Sequence, residues 1–159
     1  MIKVGIGYDV HQLEEGRPLI IGGVPIPCKF GSVGHSDGDA LIHSIVDALL
    51  GAAGLGDIGK YFPNSIEWNN SPSDIFLIKT MDRIKSKGYA LCNIDSTIII
   101  QSPRMENYIE DMEKNIARIM KQNQSLISVK ATTTDKLGFI GDGKGWGTMA
   151  VATLRSIDK

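Results

Sequence analysis

Apolar positions recur along this chain with two different periods. Residues 2–10, IKVGIGYDV, set β-favouring side chains at alternate positions, which predicts a first strand. LII at 19–21 and VPI at 24–26 flank Gly22-Gly23, a hairpin-turn composition. Residues 29–38 are rich in Gly and Ser and read as loop. A helix is predicted to start near Asp39, a good N-cap. Leu41, Ile42, Ile45, Val46, Ala48 and Leu49 give it a wide apolar face, and Gly51 and Gly54 weaken its end. Residues 63–73, PNSIEWNNSPS, have the composition of an exposed loop. Ser71 or Ser73 can cap a second helix carrying Ile75, Ile78, Met81 and Ile84, stopped by Gly88. Residues 94–100 predict a buried strand. A third helix is expected from Pro103, with Met105, Tyr108, Ile109, Met112, Ile116 and Ile119 on one face. Residues 127–131 and 148–155 complete the strands. Strands alternating with helices predict an α/β or α+β layer structure, helices against a sheet, in one domain over residues 1–159.

Composition narrows the function classes. With 17 basic and 18 acidic residues the chain carries almost no net charge. Neither nucleic acid nor an anionic membrane is an expected partner. No apolar run reaches the length of a membrane span and no signal peptide opens the chain, so a cytoplasmic protein is expected, or one whose targeting segment has been removed. Cys28 and Cys92 lack metal-like spacing and are expected as reduced thiols packed like small hydrophobes.

The candidate chemistry starts at the histidines, His11, His35 and His43, all within the first 43 residues. On a strand, Asp9 and His11 project from one face. They form a two-ligand platform for a divalent metal, and His43 from the first turn of the helix can add a third ligand. Asp-His-His with one open position suits a catalytic zinc. The plain alternatives are a strand-end salt bridge for Asp9–His11 and a half-buried core histidine for His43. Asp47, one turn beyond His43, either orients its ring or is an exposed helix residue. Asp37 and Asp39 look like ligands, but turn and cap chemistry explains them better: Asp37 shapes the loop and Asp39 caps the helix. In KATTTDKLGFIGDGKGWG, residues 130–147, threonine hydroxyls and a glycine-rich backbone can approach phosphate oxygens. Asp135 can hold a hard cation and Lys136 adds a point charge. The alternative is a Thr-rich strand end followed by a glycine turn. No Walker motif is present.

DVH at residues 9–11, GHSDGDALIHSIVDALLGAAGLGDIGKYFP at 34–63 and KATTTDKLGF at 130–139, in this order, closely resemble the 2-C-methyl-D-erythritol 2,4-cyclodiphosphate synthase family. The resemblance covers essentially the whole chain. It implies a mixed β-sheet with helices on one face and a homotrimer whose sheets face the three-fold axis, with active sites at subunit interfaces. The implied activity is that of a phosphorus–oxygen lyase in the non-mevalonate route to isoprenoid precursors. It converts 4-diphosphocytidyl-2-C-methyl-D-erythritol 2-phosphate into the cyclic diphosphate and releases CMP. The 2-phosphate attacks the β-phosphorus. Nucleophile and electrophile belong to one molecule, so orientation and charge are the main obstacles.

Carried over by position, the resemblance implies one Zn²⁺ per subunit on Asp9, His11 and His43. It implies Mg²⁺ or Mn²⁺ with the bound diphosphate at Asp135. His35 and Thr133 match transition-state-stabilising positions. His35 and Ser36 would line the phosphate and polyol end, and Asp57, Ile58 and Gly59 would meet hydroxyls. Ile100, Gln101, Ser102, Pro103, Arg104, Met105 and Glu106 would form the cytosine pocket with Ala131 and Thr132, contributed by the neighbouring subunit. Thr134, Phe139 and Asp142 complete the implied substrate contacts. Phe62 and Asn64 either close over substrate with the 63–73 loop or belong to a merely exposed segment.

Two stretches depart from the family pattern. Asp135 stands where Glu is usual, so it must reach a cation by a local shift or through a water. GFIGDGKG, residues 138–145, reverses the usual basic-then-acidic order of GFxGRGEG. Asp142 and Lys144 are expected to pair with reversed signs. With Asp142 near the trimer axis, binding of isoprenoid diphosphates in an axial cavity is expected to be weak or absent.

Overall fold

A computed structural model describes residues 1–157. The first strand, β1 (Ile2–Glu15), runs five residues past the predicted end. It is followed by β2 (Leu19–Ile21), β3 (Val24–Ile26), β4 (Phe30–Val33), α1 (Ala40–Ala53), the short α2 (Ile58–Tyr61) and α3 (Ser73–Ser86). Then come β5 (Tyr89–Ile99), α4 (Ile109–Met120), β6 (Ile127–Thr132), a single turn α5 (Gly138–Gly141) and β7 (Gly145–Ser156). The five-stranded sheet has the order β4-β1-β7-β5-β6. Only the β5–β6 pair is parallel, so the sheet is mixed, as expected. β2 and β3 form the separate expected hairpin, turned by Gly22 and Gly23 at φ 60° and 73°.

Four expectations are corrected. Part of the 29–38 loop is a strand: Phe30–Val33 pairs with the tail of β1, Gln12 opposite Val33. Its Gly and Ser content hides it, because pairing rather than local propensity makes it a strand. The third helix does not begin at Pro103; a 3₁₀ turn at Glu106–Tyr108 leads into α4. In α3, Ile75 and Ile78 face outward, whereas Ser73, Phe76, Leu77, Thr80 and Ile84 are buried. The inward face is shifted because Phe76 and Leu77 meet the core. Cys28 is also exposed rather than packed, and both thiols are free.

The two faces of β1 have different fates. Lys3, Gly5, Gly7, Asp9 and His11 share one side; Ile2, Val4, Ile6 and Tyr8 share the other. α1 lies on the first side. It is buried almost all round, as a helix between a sheet and other helices must be. The second side stays exposed, with Val151 opposite Ile6 and Met149 opposite Tyr8 continuing it onto β7. No helix among the described residues is long and apolar enough to cross a membrane.

Candidate active site

Glycine sets the distance between α1 and β1. A Cβ on Gly7 would lie 1.8 Å from the Ser44 carbonyl oxygen, and one on Gly5 2.1 Å from that of Ala48. The helix backbone therefore rides directly on the strand. The same strand face carries Asp9 and His11 one step further on, beside the first turn of α1, where His43 sits. The metal-capable atoms of the three residues lie within 4.8 Å of one another. His11 Nε2 is 2.9 Å, and His43 Nδ1 3.0 Å, from Asp9 Oδ2.

The fully buried Asp39 fixes the start of α1. Its Oδ1 accepts from Ile42 N at 3.1 Å and Gly22 N at 3.0 Å, and its Oδ2 from Gly23 N at 2.7 Å. One carboxylate thus caps the helix, as expected, and latches the β2–β3 turn to it. Burial, and then the charge of Asp37, push its carboxyl up to about 6 against those three N–H groups. Asp47 neither orients His43 nor points to solvent. It is half-buried and accepts from Ile58 N at 2.7 Å, tying α2 to α1.

The trio meets the donor requirements of a metal site. His11 Nδ1 donates to the Val33 carbonyl at 2.9 Å, so the neutral ring has Nε2 free for a metal, whereas the cationic ring donates Nε2–H to Asp9. His43 Nε2 faces Ser73 Oγ at 2.9 Å and Ser36 Oγ at 3.1 Å, while Nδ1 faces Asp9. Burial alone would push Asp9 up, but hydrogen bonds from His11 and His43, and their charge, hold it down at about 2. Burial opposes a cationic His11, yet the hydrogen bond and charge of Asp9 outweigh it and raise its pKa. Two imidazoles and one carboxylate, mostly buried but open on one side, fit a divalent ion of the zinc type with a position left for substrate.

A cavity of about 530 Å³ opens beside the trio. His35, Ser36, Ile58, Gly59, Phe62 and Asn64 line it. Asp57 is not on its wall; its exposed carboxylate accepts from Lys60 N at 2.9 Å and caps α2. Phe62 is buried, stacked on Phe76 with ring centres 4.6 Å apart and edge-on to Trp68 at 5.3 Å. It anchors the core and is not a closing flap. Residues 63–72 instead hold His35: its Nε2 donates to the Ser65 carbonyl at 3.1 Å, and its own carbonyl accepts from Asn70 N at 2.9 Å.

Sequence reasoning missed Trp68, Phe76 and Ser73. Trp68 and Phe76 form the apolar wall of the cavity. Ser73 was expected as a possible helix cap, but Pro72 occupies the cap position and makes no side-chain cap bond. The Ser73 hydroxyl goes to Asp37 and His43 instead. A serine beside a proline carries no mark of that role.

The other implied contacts lie elsewhere on the chain. Ile100, Gln101, Pro103, Arg104, Met105, Glu106, Ala131, Thr132 and Thr133 line a second cavity of about 240 Å³. Ser102 and Asp142 border a third instead. The first two cavities share no residue, so His35 and Thr133 line different ones. Asp135 is exposed in the left-handed region, φ 51°, where Asp is tolerated better than most residues. Its backbone N–H donates to Thr133 Oγ1 at 3.2 Å. Thr134 Oγ1 donates to the Leu137 carbonyl at 2.7 Å, and Phe139 is partly exposed on α5. Lys144 and Asp142 do pair with reversed signs, loosely, at 3.8 Å on the surface.

Comparison with known proteins matches residues 2–155 to the YgbB family. A Geobacillus sp. (strain WCH70) protein named 2-C-methyl-D-erythritol 2,4-cyclodiphosphate synthase is 50% identical over 98% of this chain and 99% of its own. A Clostridium kluyveri protein of the same name is 53% identical over 96% of this chain and 94% of its own. Among solved structures, the bifunctional IspDF of Campylobacter jejuni superposes with TM-score 0.96 at 42% identity, over 99% of this chain and 43% of that one. The IspF–CDP complex of Plasmodium falciparum superposes with TM-score 0.87 at 38% identity, over 99% and 97%.

Proposed function

This chain belongs to the YgbB family, and from that membership we propose that it catalyses the reaction its relatives are named for. It closes 4-diphosphocytidyl-2-C-methyl-D-erythritol 2-phosphate into 2-C-methyl-D-erythritol 2,4-cyclodiphosphate and releases CMP, in isoprenoid precursor synthesis. The observation that carries the reading is the Asp9–His11–His43 cluster at the edge of a cavity walled by His35, Ser36 and the α2 backbone. A relative solved with CDP supports a cytidine diphosphate as the substrate class.

The chain's own residues have defined tasks in that reaction. His35 and Ser36 hold the phosphate end, and Gly59 and Asn64 bound the polyol. Trp68, Phe62 and Phe76 exclude water, which strengthens every charge interaction inside the cavity. Folding the substrate so that its 2-phosphate meets the β-phosphorus removes much of the entropic barrier, on the order of 7 kcal/mol in favourable cases. A phosphate is already an anionic nucleophile, so no general base is needed. Zn²⁺ on Asp9, His11 and His43, with Mg²⁺ or Mn²⁺ at Asp135, would offset the repulsion between the reacting anions and polarise the phosphorus.

The same reading makes the protein a homotrimer of single-domain chains with shared sites. Two features support it. Ile2, Val4, Ile6 and Tyr8 are 62%, 64%, 64% and 58% exposed, a contiguous apolar sheet face that a soluble protein covers. The threonine loop and the metal cluster line separate cavities of one chain, which suits a site where a neighbour brings Thr133 and the base pocket to His35.

Incubation with substrate, with and without chelator, tests the activity. Cyclic diphosphate and CMP, lost on chelation and restored by Zn²⁺ with Mg²⁺, are expected. Inorganic phosphate as the product would show a phosphohydrolase instead. Tight CMP binding without turnover would show a nucleotide-binding module.

A further inference from the structure

We propose that Asp37 and Ser73 are positioning residues for the metal site, fixing His43 in the tautomer that leaves Nδ1 free to bind the ion. The inference rests on the metal-site reading above and concerns residues outside the implied ligand set.

Every contact the structure gives Asp37 is with a donor. Its Oδ1 accepts from Asp39 N at 3.2 Å and from the Ser73 hydroxyl, and its Oδ2 accepts from Ser73 N at 2.9 Å. An ionised carboxylate only accepts. The Ser73 proton is therefore committed to Asp37, and the oxygen can offer only a lone pair to any other group. Ser73 Oγ lies 2.9 Å from His43 Nε2, so that nitrogen must carry the hydrogen. A metal-binding imidazole is neutral and has one N–H, so with that hydrogen on Nε2 the nitrogen left for the ion is Nδ1, 3.0 Å from Asp9 Oδ2.

Ser36 cannot do this alone. Its Oγ is 3.1 Å from the same Nε2, but the structure gives its hydroxyl no other partner. It could donate to Nε2 and select the opposite tautomer, with Nδ1–H aimed at Asp9 and closed to a metal. Asp37 removes that ambiguity through Ser73. Chains of this kind, a carboxylate acting on a ligating histidine, set ring orientation and ligand basicity. Ser73 is fully buried, so water does not compete for the contact.

The test measures zinc affinity by chelator competition and reads the His43 tautomer from its ring-nitrogen NMR shifts in the metal-free protein. Ser73→Ala and Asp37→Asn should each weaken zinc binding by about 10- to 100-fold, the usual effect of losing such a partner. In both, the His43 Nε2 hydrogen should be lost in part of the population, because Asp9 opposite Nδ1 then draws the proton. Ser36→Ala should leave tautomer and affinity near wild type. Because the two variants alter different residues, either one that folds decides the matter. Wild-type affinity with an unchanged tautomer in a folded variant overturns the role. Zinc binding that survives His43→Ala would instead overturn the metal-site reading itself, and the positioning role with it.

Discussion

Asp9 Oδ2 stands 3.0 Å from His43 Nδ1, although 34 positions separate the two in the chain. Their meeting joins a sheet to the first turn of a helix and creates the only metal-capable cluster among the described residues. Asp9→Asn keeps the shape and removes the charge that two imidazoles share. Bound zinc should fall below detection in metal analysis, with affinity reduced by more than about 100-fold, beyond the effect of losing an outer partner. Turnover should be lost with it. An Asp9→Asn protein that retains stoichiometric zinc would show the ion is held elsewhere.

Gly7 carries that meeting without touching it. A methyl there would press into the Ser44 carbonyl, which belongs to helix backbone and cannot rotate away. Gly7→Ala should destabilise the fold by about 3 kcal/mol, the upper range for overpacking, in chemical denaturation. Zinc affinity should fall as well, because α1 must lift and take His43 with it. Unchanged stability and affinity would show that the helix has slack the close contact denies.

Much of this site was legible in the sequence, and what was hidden has a common cause. DVH on a strand implies two side chains on one face, and Asp39 before an apolar run implies a cap; both follow from local geometry. The Gly22-Gly23 hairpin is local too. The strand Phe30–Val33 exists only because β1 pairs with it. Ser73 gains its role only because Asp37 lies 36 positions earlier in sequence and adjacent in space. The inward face of α3 was misread because isoleucines at helical spacing fit one face as well as another until a partner surface selects Phe76 and Leu77. No periodicity marks the residues that line the second cavity.

Asp39 makes stability depend on pH in an unusual direction. Its carboxyl is raised from 3.8 to about 6 by burial, so between those values the folded protein binds more protons than the unfolded chain. Stability from this group is therefore fully present below about pH 4 and is lost as pH rises through 6. The shift corresponds to about 3 kcal/mol. Asp39→Asn removes the titration and keeps one acceptor oxygen. The stability advantage of wild type over the variant should shrink by about that amount between pH 4 and pH 7 in urea denaturation. A difference that is flat or grows with pH would contradict the raised carboxyl.

The separation of His35 and the metal trio from Thr133 leads to the sharpest test of a shared site. Neither His43→Ala nor Thr133→Val protein should turn over substrate alone. Co-expressed, they should form the mixed trimers of the proposed assembly, in which some interfaces pair an intact metal half from one chain with an intact threonine half from its neighbour. Random mixing in a ring makes about one site in four complete, so about a quarter of wild-type activity should return. The restored activity should vanish on diluting the separately purified variants together without subunit exchange. Mixed trimers no more active than either parent would place both halves of the site in a single chain, against the geometry of its two cavities.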